Sequence, residues 1–175
     1  MVDKVRTKLS LADLLASTAK HLAVDLKNQH NPIKLEKAMY VVRTKQLLVK
    51  ASTSPLTDKK HNGRYIMFMQ FDRVAHNKTR TRKFTHKVKT KAGDIVYVAK
   101  LSQLDTLVRV SCSCKRFYFA WQYWDRINKS LYGKRPPPYF RKTANRPEVN
   151  PFQDVGICKH LVGLTKVLRR RRILR

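Results

Sequence analysis

Apolar positions along this chain follow two rhythms. Leu11, Leu14, Leu15, Leu22 and Leu26 recur on roughly one side of a helical wheel, so residues 11–28 predict an amphipathic helix. Ser10 followed by Asp13 forms a capping box at its start, with Ser10 as the cap and Asp13 at the third helical position. Asn31-Pro32 breaks the pattern. Residues 33–44 read as a second helix, with Leu35, Met39 and Tyr40 near one side, although Val41-Val42 and Leu47-Leu48-Val49 suit a strand equally well. Residues 51–63, rich in Ser, Thr, Asn, Asp, Pro and Gly, read as a linker or long loop.

Beyond the linker the rhythm becomes two. Residues 64–72 predict a strand that is central or covered on both sides, being apolar on both faces: Tyr65, Met67, Met69 and Phe71 on one, Ile66 and Phe68 on the other. Residues 84–89, 95–100 and 106–110 predict further strands, with a turn at Ala92-Gly93-Asp94, for a small antiparallel sheet of three to five strands. The aromatic series Phe117, Tyr118, Phe119, Trp121, Tyr123, Trp124 and Tyr132 comes next. Phe117, Trp121 and Trp124 recur at helical spacing, which favours a core or a partner-facing surface over base stacking. Residues 134–151, with Pro136-Pro137-Pro138, predict an extended loop. Leu161, Leu164 and Leu168 predict a terminal helix over 157–172, ending in arginines that suit the helix dipole. The expected fold class is α+β: N-terminal helices, a small antiparallel sheet, a metal site and a C-terminal helix. The expected organisation is a helical segment over 1–50 and a strand-rich domain over 64–175.

Charge changes the picture. Lys and Arg number 39 against 11 Asp and Glu, for a formal charge of +28. Such an excess repels the compact state unless a polyanion neutralises it, and double-stranded DNA or another nucleic acid is the first candidate partner. The densest interior run is Lys78, Arg80, Arg82, Lys83, Lys87, Lys89 and Lys91, with no acidic residue from 76 to 91. If it forms a hairpin, its tip carries most of this charge toward a phosphate backbone. A solvated edge strand kept from pairing by its lysines is the other reading. Arg169, Arg170, Arg171 and Arg172, with Arg175, form a second basic patch, and Arg141, Lys142 and Arg146 a third. No apolar run suits a signal peptide or a spanning helix, so no membrane association is expected.

The chemistry concentrates in the three cysteines. All belong to two tight pairs, Cys112-Ser113-Cys114 and Cys158-Lys159-His160. Three thiolates and an imidazole are a complete set for tetrahedral structural Zn2+, with no position left open for catalysis. The odd cysteine count disfavours a disulfide framework, and reduced thiols suit a cytosolic redox state. Cys112 and Cys114 stand at a strand end, where a turn or bulge is expected to bring both onto one ion. Lys115, Arg116 and Lys159 would offset the negative charge of such a centre. His21, His30, His61, His76 and His86 lack comparable partners. The aspartates are scattered and there is no phosphate-cradling glycine motif, so the chain is not expected to be an enzyme.

The order Cys112-x-Cys114, a gap of 43 residues, then Cys158-x-His160, preceded by strands and followed by a helix, resembles the SWIM-type zinc finger. That resemblance implies zinc binding by all four residues and association with DNA or with proteins. The gap is long for such a finger. The strand 65–71, Cys-Ser-Cys followed by Phe117-Tyr118-Phe119-Ala120, and the run from Gly156 to Leu161 are also similar to SWIM-bearing virion proteins of large tailed bacteriophages. This second resemblance spans roughly residues 64–168. It implies location in a phage particle, otherwise host cytoplasm or nucleoid, among other proteins of a capsid or tail. The combined expectation is a zinc-stabilised basic structural protein. A free regulatory DNA-binding module, an assembly adaptor for acidic protein surfaces and a ribosome-associated protein stay open.

Overall fold

The computed structural model describes residues 9–21, 32–53, 64–134 and 150–175. The fold is α+β. Helix α1 (Leu11–His21) is followed by strands β1 (Ile33–Val41) and β2 (Gln46–Thr53), joined by a 3-10 turn at Val42–Thr44. Strands β3 (Ile66–Phe71), β4 (His76–Asn77), β5 (Phe84–Thr90), β6 (Ile95–Ala99) and β7 (Val108–Cys112) come next. Helices α2 (Lys115–Ala120), α3 (Gln122–Ile127) and α4 (Lys159–Arg170) complete the chain. The strands form one sheet in the order β4-β6-β5-β1-β2-β3-β7. It is larger than the small sheet expected, and it is mixed, because β1 pairs with β5 in parallel.

Ser10 caps α1 as expected. Its N–H and hydroxyl both donate to Asp13 Oδ2 at 2.7 Å, while the Asp13 N–H donates back to Ser10 Oγ at 3.2 Å. Such a cap is worth about 1 kcal/mol. Residues 22–28 of the expected helix lie outside the described residues.

The second helix expected over 33–44 is strand β1 instead. A bulge between Leu35 and Lys37 explains the misleading rhythm. Leu35 faces Ala51, Ala38 faces Val49 and Tyr40 faces Leu47, so the core-facing positions are separated by three residues and then two. One extra residue disguises a strand's alternation as a helical step. Residues 51–53, assigned to the linker, finish β2, and 54–63 lie outside the described residues.

Strand β3 is interior, between β2 and β7, with Met67, Met69 and Phe71 fully buried. Its other face is partly exposed: Ile66 is 39% exposed, and Phe68 and Gln70 are half-buried. The described helices gather on the opposite side, where α4 packs across β1, β3 and β7. The buried set there includes Leu14 of α1, Phe117 and Trp121 from the aromatic series, and Leu161, Leu164 and Leu168 of α4. This bears out the core reading for Phe117 and Trp121. Residues 130–132 run beside β7, with Val110 N–H donating to the Ser130 carbonyl and Tyr132 N–H to the Val110 carbonyl. Among the described residues, no helix is long and apolar enough to cross a membrane.

Candidate metal centre

Two segments distant in sequence bring Cys112 and Cys114 together with Cys158 and His160. Cys112 ends β7 on the core face it shares with Val108 and Val110. No bulge is needed, since residues two apart share one face of a strand. The strand simply stops there. Ser113 fastens the turn to β3, its N–H donating to the Ile66 carbonyl at 3.0 Å and its Oγ accepting from Ile66 N–H at 2.9 Å. Cys114 then caps α2, with its Sγ accepting from Phe117 N–H at 3.3 Å.

The second pair arrives on a strap over residues 150–158. Asn150 Nδ2 donates to the Ala120 and Asp154 carbonyls, Ser17 Oγ donates to the Val155 carbonyl, and Thr18 Oγ1 accepts from Ile157 N–H. Gly156 N–H donates to Oδ1 of the fully buried Asp125. A Cβ at Gly156 would stand 2.7 Å from Trp121 Cε3 and 2.9 Å from Thr18 Oγ1, so only glycine lets the strap lie this close. Cys158 caps α4 without a side-chain capping bond, and His160 lies in the first helical turn.

All four residues are buried, and their ligand atoms lie within 4.8 Å of one another. His160 Nδ1 is 3.9 Å from Cys112 Sγ and 4.0 Å from Cys158 Sγ. Bonds of about 2.3 Å to sulfur and 2.0–2.1 Å to nitrogen put tetrahedral edges at roughly 3.6–3.8 Å. The observed spacing closes on such an ion with contractions of about 1 Å or less. The cluster can therefore hold a metal ion. The His160 ring packs against Tyr65, with centroids 4.6 Å apart and planes tilted by 36°.

Electrostatics point the same way. Hydrogen bonds from Cys112 and then Cys158 pull the Cys114 thiol far below its ordinary range. The shared bond with Cys114 raises Cys112, and burial first of all raises Cys158. Three buried thiolates need a cation among them. The N-terminus of α4 adds its positive end. Lys115, Arg116 and Lys159 are exposed beside the site.

The basic residues take different places. Lys78, Arg80, Arg82 and Lys83 are exposed in the connection from β4 to β5, not at a hairpin tip. Both strands flank the β6 side of the sheet: β4 pairs with β6, and β6 pairs with β5. The hairpin turn is at 91–94, and β5 pairs with β6 along its length and with β1 through Lys89 and Thr90, so the edge-strand reading does not apply to Lys89. Lys87 and Lys89 are exposed along β5, and Lys91 at the turn.

The arginine tail is docked rather than loose. Leu174 is buried in a bridge to Leu101, and Arg175 N–H donates to the Leu101 carbonyl at 2.9 Å. Arg169, Arg170, Arg171 and Arg172 remain exposed. Leu101 follows Ala99, the partner of Phe84, so the register brings this tail and the run 78–83 to one end of the sheet. Arg141, Lys142 and Arg146 lie outside the described residues, as do His30 and His61. His76 meets the Tyr40 hydroxyl through Nδ1 at 2.9 Å and lies outside the metal cluster.

Sequence reasoning found the four cluster residues and missed what seats them: Tyr65, Thr18, Asp125, Asn150 and Gly156. Gly156, two positions before Cys158, was the one legible signal. No family model, curated protein or solved structure matches the chain.

Proposed function

We propose that this chain is a zinc-stabilised, strongly basic structural protein that sits against nucleic acid within a larger assembly. The observation that carries the reading is the buried Cys112, Cys114, Cys158 and His160 cluster. Mixed sulfur and nitrogen donors favour zinc over harder ions. Four protein ligands complete a tetrahedron, so the ion clamps β7 and α2 to α4 and takes no substrate. In this reading the chain is not an enzyme.

The partner reading rests on charge. A net +28, with two exposed basic clusters at one end of the sheet, suits the phosphate backbone of double-stranded DNA or another nucleic acid. The similarity of Cys112-x-Cys114 and Cys158-x-His160 to the SWIM finger supports a compact zinc module in contact with DNA or protein. The similarity to virion proteins of large tailed phages supports a place in the capsid or tail.

The test is to purify the chain in its native assembly, measure zinc, and identify what co-purifies before and after nuclease. One zinc per chain, with nucleic acid lost on nuclease treatment, is the expected result. A stable complex with an acidic protein that is insensitive to nuclease makes the chain an adaptor instead. Absence of zinc from the purified chain removes the metal reading.

A further inference from the structure

The open face of the sheet has a composition that structural support alone does not explain. Reading across the register, Lys89 of β5 lies beside Met39 of β1, which lies opposite Leu48 of β2, Gln70 of β3 and Arg109 of β7. In the neighbouring row Lys37 lies opposite Lys50, Phe68 and Ser111. Ser111 is small, and Tyr132, on the segment beside β7, reaches over it. The Tyr132 ring stacks on Phe68 with centroids 5.2 Å apart and planes tilted by 32°. Both rings are half-buried, and Ile95 at the far side is 43% exposed.

Charge on this face is one-sided. Glu36 pairs with Lys50 at 2.8 Å, and Asp72 accepts from Arg109 and from Gln46 Nε2. Those acids are already engaged by protein groups. Lys37, Lys87 and Lys89 are exposed and enter no ion pair among the described residues. Three strand spacings, or about 14 Å, separate Lys89 from Gln70 across the apolar side chains of Met39 and Leu48, and two, or about 10 Å, separate Lys37 from Phe68 across Lys50. That is a polycation rail on one side and a pair of stacked rings on the other.

We propose that this face binds single-stranded nucleic acid, with bases stacked on the Phe68–Tyr132 pair and phosphates along Lys37, Lys87 and Lys89. The inference rests on the nucleic-acid reading above and deepens it. Base faces are available to aromatic rings only where strands are unpaired, and a broad sheet face has no projection that enters a duplex groove. The rail continues from the basic connection 78–83, so a strand lying on the face would leave it along residues already suited to phosphate.

The test uses the zinc-loaded full chain and fluorescence anisotropy at fixed salt. The probes are labelled single-stranded DNA and RNA of one sequence, about 12 nucleotides long, and the matching DNA duplex. The expected result is tighter binding of single strands than of the duplex. Tyr132→Leu should weaken single-strand binding about tenfold and leave duplex binding nearly unchanged. Phe68→Leu should do the same, and Tyr132→Leu, at the sheet margin, carries the test if Phe68→Leu loses zinc. A preference for RNA or for DNA identifies the natural strand and supports the site either way. Equal binding of duplex and single strands, unaffected by either leucine variant, overturns the proposal and leaves the basic-end reading standing. Failure to bind any of the three probes overturns both.

Discussion

At the β3–β7 end of the sheet Met67, Met69, Val108 and Val110 are wholly enclosed, whereas in the β5–β6 wing Val98 is enclosed but Val88 and Val96 keep 7% and 4% of their surface. The first end is roofed by α2 and α4 and contains the four Cys/His residues. The wing ends in a two-residue strand and a run of exposed cations. The enclosed end is assembled from segments more than forty residues apart, so its geometry depends on what bridges them. The wing is a local hairpin with its tail docked beside it, and it presents charge outward. One end should answer to metal and packing, the other to salt.

The largest expected effect is at the enclosed end. Cys158→Ser should remove most bound zinc and lower stability by several kcal/mol, since metal binding in such a site is folding free energy. Zinc analysis and thermal unfolding check this. Chelation of the native chain should speed amide exchange at Cys112, in α2 and at the start of α4 well before it does so in β5 and β6. Equal loss of protection in both regions would show that the two ends are not separable.

This comparison also explains what was legible beforehand. The cluster could be read because all three cysteines sit in two short pairs, a local signal that survives without knowledge of the fold. Strands β3 and β6, with unbroken alternation, were legible for the same reason, and so was β5, whose irregularity falls at its start, between Phe84 and His86, and leaves the alternation from Lys87 to Thr90 intact. Strand β1 was not, because its bulge shifts the face in mid-strand. Nor was β4, where two residues carry no period. The seating of the strap was invisible because Thr18, Asp125 and Gly156 meet only in three dimensions.

Next in size is Gly156→Ala. Its Cβ would collide with the Trp121 ring and Thr18, both held in the core, and the strap would have to lift. Overpacking of this kind costs about 1–3 kcal/mol. Zinc affinity should fall with stability, because Cys158 rides on the same strap. Retained zinc affinity in a destabilised variant would show that the cluster positions Cys158 without help from the strap.

A smaller effect concerns pH. Burial raises the Asp125 carboxyl well above 3.8, and among the described residues Oδ2 has no hydrogen-bond partner. An acid raised in the folded state binds protons that the unfolded chain has released, so stability falls as pH rises from 3.8 through the folded value. Asp125→Asn keeps an oxygen for Gly156 N–H and removes that titration. Its stability relative to the native chain should therefore increase as pH rises across this window. Protonation of the metal ligands cancels in the difference, being common to both proteins. A difference that stays flat with pH would mean that Asp125 ionises in place without penalty.

The smallest effect on stability is expected in the wing, and there the readout changes from folding to binding. Arg80→Ala, Arg82→Ala and Lys83→Ala together remove exposed charges that make no ion pair among the described residues, so unfolding should move by no more than about 0.5 kcal/mol. Zinc content should not move at all. Binding to nucleic acid should weaken, and its salt slope should flatten by up to about 0.9 for each phosphate no longer neutralised. A triple variant that binds with an unchanged slope would mean that the phosphates are held elsewhere. A triple variant that loses zinc would show that the wing and the enclosed end are coupled through the sheet, because charge removal at one end would then be felt by the four ligands at the other.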